Sequence, residues 1–407
     1  MTQRRIGLWL IGAGGSVAGA TCLGLAAWAR QLIPTTGLVS TLPQFQHLDL
    51  DPPGTLVVGG HEIRQTNLLQ PVYELHQRSR VFEMSLIEAC RPQLEQWSEH
   101  LRPGILYRPN AAIQALSDRS DVRSVRRPQE AISWVQADLR QFQQQLQLDQ
   151  LIVVNAASTE PPPPADLSQL TLAALRTALE GDSELPLPAS TLYAYAALEA
   201  GFPYINLTPS RGASWPAIEE LACLRGVPHA GQDLKTGETL LKSVLAPLFA
   251  RRHLRVLSWV GHNILGNRDG WILNDPENKM SKLKSKDALL AELLGYKPQS
   301  LVTIEYVESL DDWKTAWDHI HFEGFCGTKM VLQLTWQGCD SLLAAPLVLD
   351  LVRFVALAQR RGEAGALPWL ASFFKNPLAT SIHDFTQQFA LLEQWAACQA
   401  QQPSDRR

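Results

Sequence analysis

The sequence predicts an α/β protein built on a doubly wound parallel sheet, with a second, smaller α+β unit. Three observations carry that expectation. Ile6–Ile11 is a short apolar strand segment that runs directly into Gly12-Ala13-Gly14-Gly15 and then into a small-residue helix containing Ala18, Gly19 and Ala20. Residues 151–154 are a brief continuous apolar run, the form a parallel strand takes when both its faces are buried. Beyond Gly231 the strand-like segments alternate apolar with polar residues, as in a sheet covered on one face only.

Composition narrows the possibilities. At 407 residues the chain is long enough for two or three compact units. Its 45% hydrophobic content excludes a largely disordered chain. Lys plus Arg number 36 against 40 Asp plus Glu, a net charge of −4, so the basic excess of a general nucleic-acid binder is absent and no nucleic-acid partner is expected. Six cysteines are scattered without a CxxC pair, which predicts reduced thiols in a cytoplasmic enzyme and no structural metal site.

The first segment admits two descriptions. Residues 6–29 carry no charge and follow Arg4 and Arg5, so hydropathy alone allows a signal sequence or membrane anchor. The order strand, glycine turn, helix instead opens a dinucleotide-binding unit. There Gly12, Gly14 and Gly15 let backbone approach a pyrophosphate, and Ser16 and Val17 begin the helix whose N-terminus faces its charge. The third glycine of the usual spacing falls on Val17. On this description no stable membrane span is expected.

A strand at 55–58, a polar helical stretch over 65–100 and a Gln-rich helix over 130–148 follow. Asn155, Ser158 and Thr159 then fall at the C-terminal end of the 151–154 strand, the edge on which doubly wound sheets bind ligands, and the prolines at 161–164 forbid an immediate helix. A helix at 188–201 and a strand at 204–207 continue the alternation. Strands at 256–260, 301–307 and 330–336 place the second unit at 240–341, an apolar core helix follows at 342–359, and the tail from Gln399 onward reads as frayed.

The residues with the most chemistry are lysines. Asp275-Pro276 has the form of an N-cap and first helical residue, so 276–294 is predicted to be helical. Lys282 and Lys286 then stack on one face at a repulsive cost of about 0.2–0.5 kcal/mol. A solvated basic face explains such a pair. So does an anionic substrate, whose charge-assisted hydrogen bonds would outweigh the repulsion. Spacing does not choose between them. His319 and His321 would share one face of a strand; a metal pair is conceivable there, but packing histidines are the simpler expectation.

Several ordered blocks, taken together, resemble the myo-inositol-1-phosphate synthase (inositol-3-phosphate synthase) family. They are the Gly12–Gly15 turn, VVNAASTE at 153–160, PASTLYAYAALEAGFPYINLTPS at 188–210 and GQDLKTGETLLKSVLAPLF at 231–249. HNILGNRDGWILNDPENKMSKLKSK at 262–286, DDWKTAWD at 311–318, CDSLLAAPLVLDLV at 339–352 and FFKNPL at 373–378 follow. The resemblance is dense from about residue 150 to 380 and thin between 20 and 149.

The resemblance implies a Rossmann-type NAD-binding domain over 1–239, an inserted α+β catalytic and oligomerisation domain over 240–341, and a return to the first domain over 342–407. It implies conversion of glucose 6-phosphate to inositol 3-phosphate by oxidation, enolisation, intramolecular aldol closure and reduction, with NAD regenerated and a homotetrameric assembly. Carried over by position, Lys282, Lys286, Lys314 and Lys375 are the active-site lysines, with Asp233, Asp269 and Asp340 as acidic neighbours. Lys282 would accept the proton of the oxidised hydroxyl, Lys314 and Lys375 would stabilise the enolate and aldol oxygens, and Lys286 would hold a substrate oxygen or the phosphate. Asp233 and Asp340 would orient lysines. Asn267 and Arg268 join the substrate-binding set, and Asp269 and Asp340 the cofactor-binding set with the glycine turn, Asn155, Ser158 and Thr159.

The chain also departs from the family pattern. Gln232 stands where the first of two paired acids is usual, Arg268 replaces an amide in the NNDG block, Cys339 replaces the acid before Asp340, and Ser16-Val17 replace paired asparagines. These departures keep open an NAD-dependent oxidoreductase or isomerase acting on another sugar phosphate, and the uncharged stretch 6–29, taken as an anchor, keeps open a non-catalytic, membrane-associated binding protein.

Overall fold

The computed structural model describes residues 4–180, 186–272 and 289–400, the side chains of Asp269 and Ile272 excepted. The strands in chain order are β1 (Ile6–Ile11), β2 (Leu56–Glu62), β3 (Leu101–Pro103), β4 (Ile105–Tyr107), β5 (Arg123–Val125), β6 (Gln150–Asn155), β7 (Tyr204–Asn206) and β8 (Pro228–Ala230). They continue with β9 (Arg255–Leu265), β10 (Gln299–Tyr306), β11 (Trp313–Glu323), β12 (Lys329–Cys339) and β13 (Gly365–Ala366).

Seven of these form a parallel sheet in the order β13-β8-β7-β6-β1-β2-β3. β1 is wholly apolar because both its faces are covered. Ile6, Leu8 and Leu10 pack into one core with the helices Ser16–Ala29 and Asp340–Arg360, whereas Trp9 and Ile11 pack into another with the helices Pro128–Leu146 and Ala189–Glu199. Residues 6–29 are therefore inner elements of the sheet domain. The chain proceeds outward from β1 to β2 and β3 on one side, and from β6 to β7 and β8 on the other. This reversal leaves a crevice at the C-terminal ends of β1 and β6, where Ile11 and Asn155 are in register.

The second sheet has the order β10-β9-β11-β12 and lies wholly between residues 255 and 339. β10 runs parallel to β9, and β11 is antiparallel to both β9 and β12. Helix Glu238–Arg251 covers one face, with Phe249, Trp259, Leu290 and Ile320 at the contact. β12 passes at Cys339 directly into helix Asp340–Arg360, which carries the chain back into the first core. That helix is long and apolar enough to cross a membrane, yet 78% of its most apolar window is buried inside the fold.

Several sequence expectations need correction. The polar stretch 65–100 is not one helix: a helix at Gln70–Glu74 and a π-turn at Leu75–Ser79 end at Arg80, whose φ of 55° breaks the run before helix Met84–Ser98. The strand expected at 55–58 continues to Glu62. β11 was not anticipated, because Lys314 and Asp318 fall on its covered face beside Ala316 and Ile320 and spoil the apolar alternation. The C-terminal region is ordered further than expected, as helix Phe385–Ala400 with Gln399 buried. Residues 289–294 are helical, while the rest of the expected 276–294 helix, including Lys282 and Lys286, lies outside the described residues.

Candidate active site

The crevice at the sheet's switch point opens into a cleft of about 300 Å³ whose walls come from both sheets. Its nucleotide end is the turn after β1. Gly12 has φ +81°, and a Cβ there would meet Ala157 Cα at 2.7 Å; one on Gly14 would meet Glu62 Oε2 at 2.6 Å. Gly12 therefore requires glycine, whereas at Gly14 only side-chain ends crowd the position. Gly15 is the N-cap of helix Ser16–Ala29 and supplies no side chain, so the first helical N–H groups point at the cleft lined by Gly15, Ser16 and Val17. A cradle of bare backbone donors at a helix N-terminus fits a dinucleotide pyrophosphate.

Glu62 completes this end, and it was not anticipated. Its Oε2 accepts the Gly14 N–H at 2.5 Å, and its Oε1 accepts the N–H groups of Ile63 and Arg64 at 2.9 and 3.0 Å. An acid at the tip of the second strand is the usual partner of a nucleotide ribose, but the 3-10 turns between Val39 and Thr55 push it far beyond the expected offset. Arg64 donates to the Gly14 carbonyl.

Asn155, Ser158 and Thr159 line the adjoining wall. Asn155 is locked there: its Oδ1 accepts the Ala157 N–H at 3.1 Å, and its Nδ2 donates to Asn206 Oδ1 at 3.4 Å. Asn206 and Thr208, at the end of β7, obey the same strand-end rule and went unrecognised. So did Glu160, which lines the cleft and whose carboxyl burial pushes upward in pKa, against the Ser190 hydrogen bonds that favour its ionised form.

The other end of the cleft gathers residues remote in sequence. Segment 231–235 runs antiparallel to 373–378: Lys375 N–H donates to the Asp233 carbonyl at 2.7 Å, and Lys235 N–H to that of Phe373 at 2.8 Å. The pairing sets Lys375 Nζ 2.8 Å from Asp233 Oδ1. Asp233 itself has φ 61°, a left-handed conformation that Asp tolerates better than most residues. From the second sheet, Lys314 projects into the same cleft with Nζ 3.9 Å from Asp340 Oδ2, and Asp340 Oδ1 accepts the Thr236 hydroxyl at 3.1 Å. Asn267 and Arg268 also line it, and Asp269 lies on the same short helix, Arg268–Ile272.

Asp312 holds these elements together. Its carboxylate accepts Cys339 Sγ–H, Ser341 N–H and the Ser341 hydroxyl, each at 2.9 Å, and Asn267 Nδ2 at 3.3 Å. Burial raises its pKa, opposed by those bonds. No group of three or more His, Cys, Asp or Glu that could hold a metal occurs among the described residues. His319 and His321 sit on β11, opposite Val260 and Ser258 of β9.

The sequence profile of an NAD-binding family described as Myo-inositol-1-phosphate synthase matches residues 6–397. The chain belongs to the myo-inositol-1-phosphate synthase family. Inositol-3-phosphate synthase 1 of Bacteroides thetaiotaomicron is 31% identical, over 96% of this chain and 93% of that protein. Inositol-3-phosphate synthase 1 of Populus euphratica is 32% identical over 77% of this chain, which spans only 62% of that longer plant protein. The crystal structure of inositol-3-phosphate synthase from Caenorhabditis elegans superposes with a TM-score of 0.86 at 26% identity, covering 99% of this chain and 87% of that one. A myo-inositol-1-phosphate synthase-related protein from Thermotoga maritima, at 22% identity, shares the fold with a TM-score of 0.77, covering 97% of this chain and 99% of its own. This family member thus has the Rossmann-type domain with its catalytic and oligomerisation insert.

Against this family the departures are unequal. Gln232 turns away from the lysines, accepting the Ser214 hydroxyl on its Oε1 and reaching the Pro209 carbonyl at 3.4 Å with its Nε2. Cys339 is buried against Asp312, behind the cleft wall. Arg268 alone of the three lines the cleft, its guanidinium 2.8 Å from Glu74 Oε2.

Proposed function

We propose that this chain converts glucose 6-phosphate to inositol 3-phosphate in an NAD-dependent, redox-neutral cyclisation. The observation that carries this is the meeting, in one cleft, of a backbone dinucleotide cradle with Lys375 and Lys314, each beside its own aspartate. NAD, when bound, supplies the hydride acceptor and donor. Gly12, Gly14, Gly15 and the start of helix Ser16–Ala29 would hold its pyrophosphate, with Glu62, Asn155, Ser158, Thr159, Asp269 and Asp340 completing the site.

The side chains do the rest. A lysine ammonium held by a carboxylate is a directed donor, so Lys375 and Lys314 stabilise the oxygen charge that develops on enolisation and aldol closure. Asp233 and Asp340 aim them and offset their mutual repulsion. Lys282 takes the hydroxyl proton and Lys286 grips the phosphate, with Asn267 and Arg268 at the sugar. Asp312, Ser341 and Thr236 fix the aspartates' surroundings and exclude water.

Assembly as a homotetramer would use the open face of the second sheet, where Leu301, Trp313, Trp317 and Val331 are exposed on neighbouring strands. Six free cysteines accord with a reducing, cytoplasmic setting.

Phosphorus NMR after incubation with glucose 6-phosphate and NAD tests the assignment. Inositol phosphate is the expected product. Recovery of unchanged sugar phosphate would instead favour a second substrate class, another sugar phosphate, for which Arg268 in the lining is the one specific indication.

A further inference from the structure

Lys235 belongs to the same short pairing as Asp233 and Lys375 but points out of the cleft, toward the C-terminal helix. It is 3% exposed. Its Nζ donates to Gln388 Oε1, and the Phe385 ring centre lies 5.8 Å away. Gln388 is itself fully buried, and its Nε2 donates to the Ile382 carbonyl at 2.6 Å. That second bond fixes the amide, so the oxygen, and not the nitrogen, faces the lysine.

The surrounding charges are already committed elsewhere. Asp233, two residues back, holds Lys375. Asp384 takes Arg251, and His383 Nε2 lies 2.9 Å from Glu292 Oε2. The charges that bear on Lys235 are those of Lys375 and of His383 when protonated, both positive. A neutral amide is its one described hydrogen-bond partner.

We propose that Lys235 is a further positioning residue, a buried amine that Gln388 holds behind the Asp233–Lys375 pair. It rests on the assignment of Lys375 to the reaction. Burial, reinforced by Lys375, brings the amine down to about 7 from an ordinary 10.5. Above that pH no second cation faces Lys375, and its bond to Asp233 is undisturbed. Below it a second buried cation faces Lys375, whose charge bears directly on Lys235, and the repulsion between the two ammonium groups loosens Lys375 from the position in which Asp233 holds it.

The test is the pH dependence of inositol phosphate formation from glucose 6-phosphate by the intact protein, in wild type, Gln388→Glu and Lys235→Met. Gln388→Glu places a carboxylate on the amine and keeps it charged to higher pH. The acid limb of kcat moves up by about one unit or more, which is about tenfold less turnover near neutrality, with recovery at alkaline pH and KM little changed. Lys235→Met removes that limb. NAD binding and melting temperature, measured in parallel, report the fold. A packing role alone predicts profiles that superimpose on wild type after scaling, and that result in either folded variant overturns the proposal. Absence of inositol phosphate from the wild-type reaction would bring down the assigned activity first, and this inference with it.

Discussion

Lys375 Nζ lies 2.8 Å from Asp233 Oδ1 although 142 positions separate them in the chain. The contact exists because the chain leaves the first domain at 231–238, builds the second sheet, and returns through helix Asp340–Arg360 to lay 373–378 against 231–235. This end of the cleft is thus made where the exit and the return of the chain touch.

Asp233→Asn keeps an acceptor for Lys375 but removes the charge. Turnover of glucose 6-phosphate is expected to fall about 100-fold, in the range for losing a properly held acid–base group, with NAD affinity unchanged. Initial rates on a variant with wild-type melting behaviour decide it; undiminished turnover would remove Asp233 from the site.

Glu62→Ala tests the nucleotide end. The Gly14 N–H loses a charged acceptor, and the turn loses the bond that shapes it. Calorimetry should show NAD binding weakened about tenfold to a hundredfold, from a hydrogen bond to a charged group worth about 1.5–3 kcal/mol. Unaltered binding would mean that the cofactor does not use this turn.

Stability should depend on pH through Lys235. Its amine is depressed in the fold to about 7 from 10.5, so the unfolded chain binds more protons between those values. The contribution is full above 10.5 and is lost as pH falls through about 7, a span of at most about 5 kcal/mol. Denaturant midpoints across this window should flatten in Lys235→Met; a slope equal to wild type would contradict the burial of an uncharged amine.

Asp350 should act with the opposite sign. Fully buried, it accepts the N–H groups of Val39 and Ser40 at 2.6 and 3.1 Å, and burial pushes its carboxyl up to about 6. Stability from this group is complete below the unfolded value of 3.8 and is lost as pH rises through about 6. Relative to wild type, Asp350→Asn should gain up to about 3 kcal/mol between those limits. A difference that does not vary with pH would show the carboxyl to be ionised throughout.

What was legible in the sequence was local. The strand, glycine turn and helix at 6–29 could be read directly, because backbone approach and two-sided burial leave their own compositional marks. Asn155, Ser158 and Thr159 were legible for a similar reason, lying just past an apolar strand. Lys314, Lys375 and their aspartates were found by resemblance alone, since nothing in spacing shows that 233, 314, 340 and 375 converge. Glu62 was hidden by the long excursion before β2. Lys235 was hidden because its burial is made by Gln388, 153 residues away, and no pattern around residue 235 encodes it. β11 escaped because Lys314 and Asp318 lie on the face that a hydrophobic pattern would need.

The most direct measurement is the stoichiometry of product to cofactor, with glucose 6-phosphate in large excess over NAD. A closed redox cycle in one cleft predicts many inositol phosphates formed per NAD and no net NADH at any time. NADH accumulating in step with product, with the reaction stopping when NAD is spent, would contradict it.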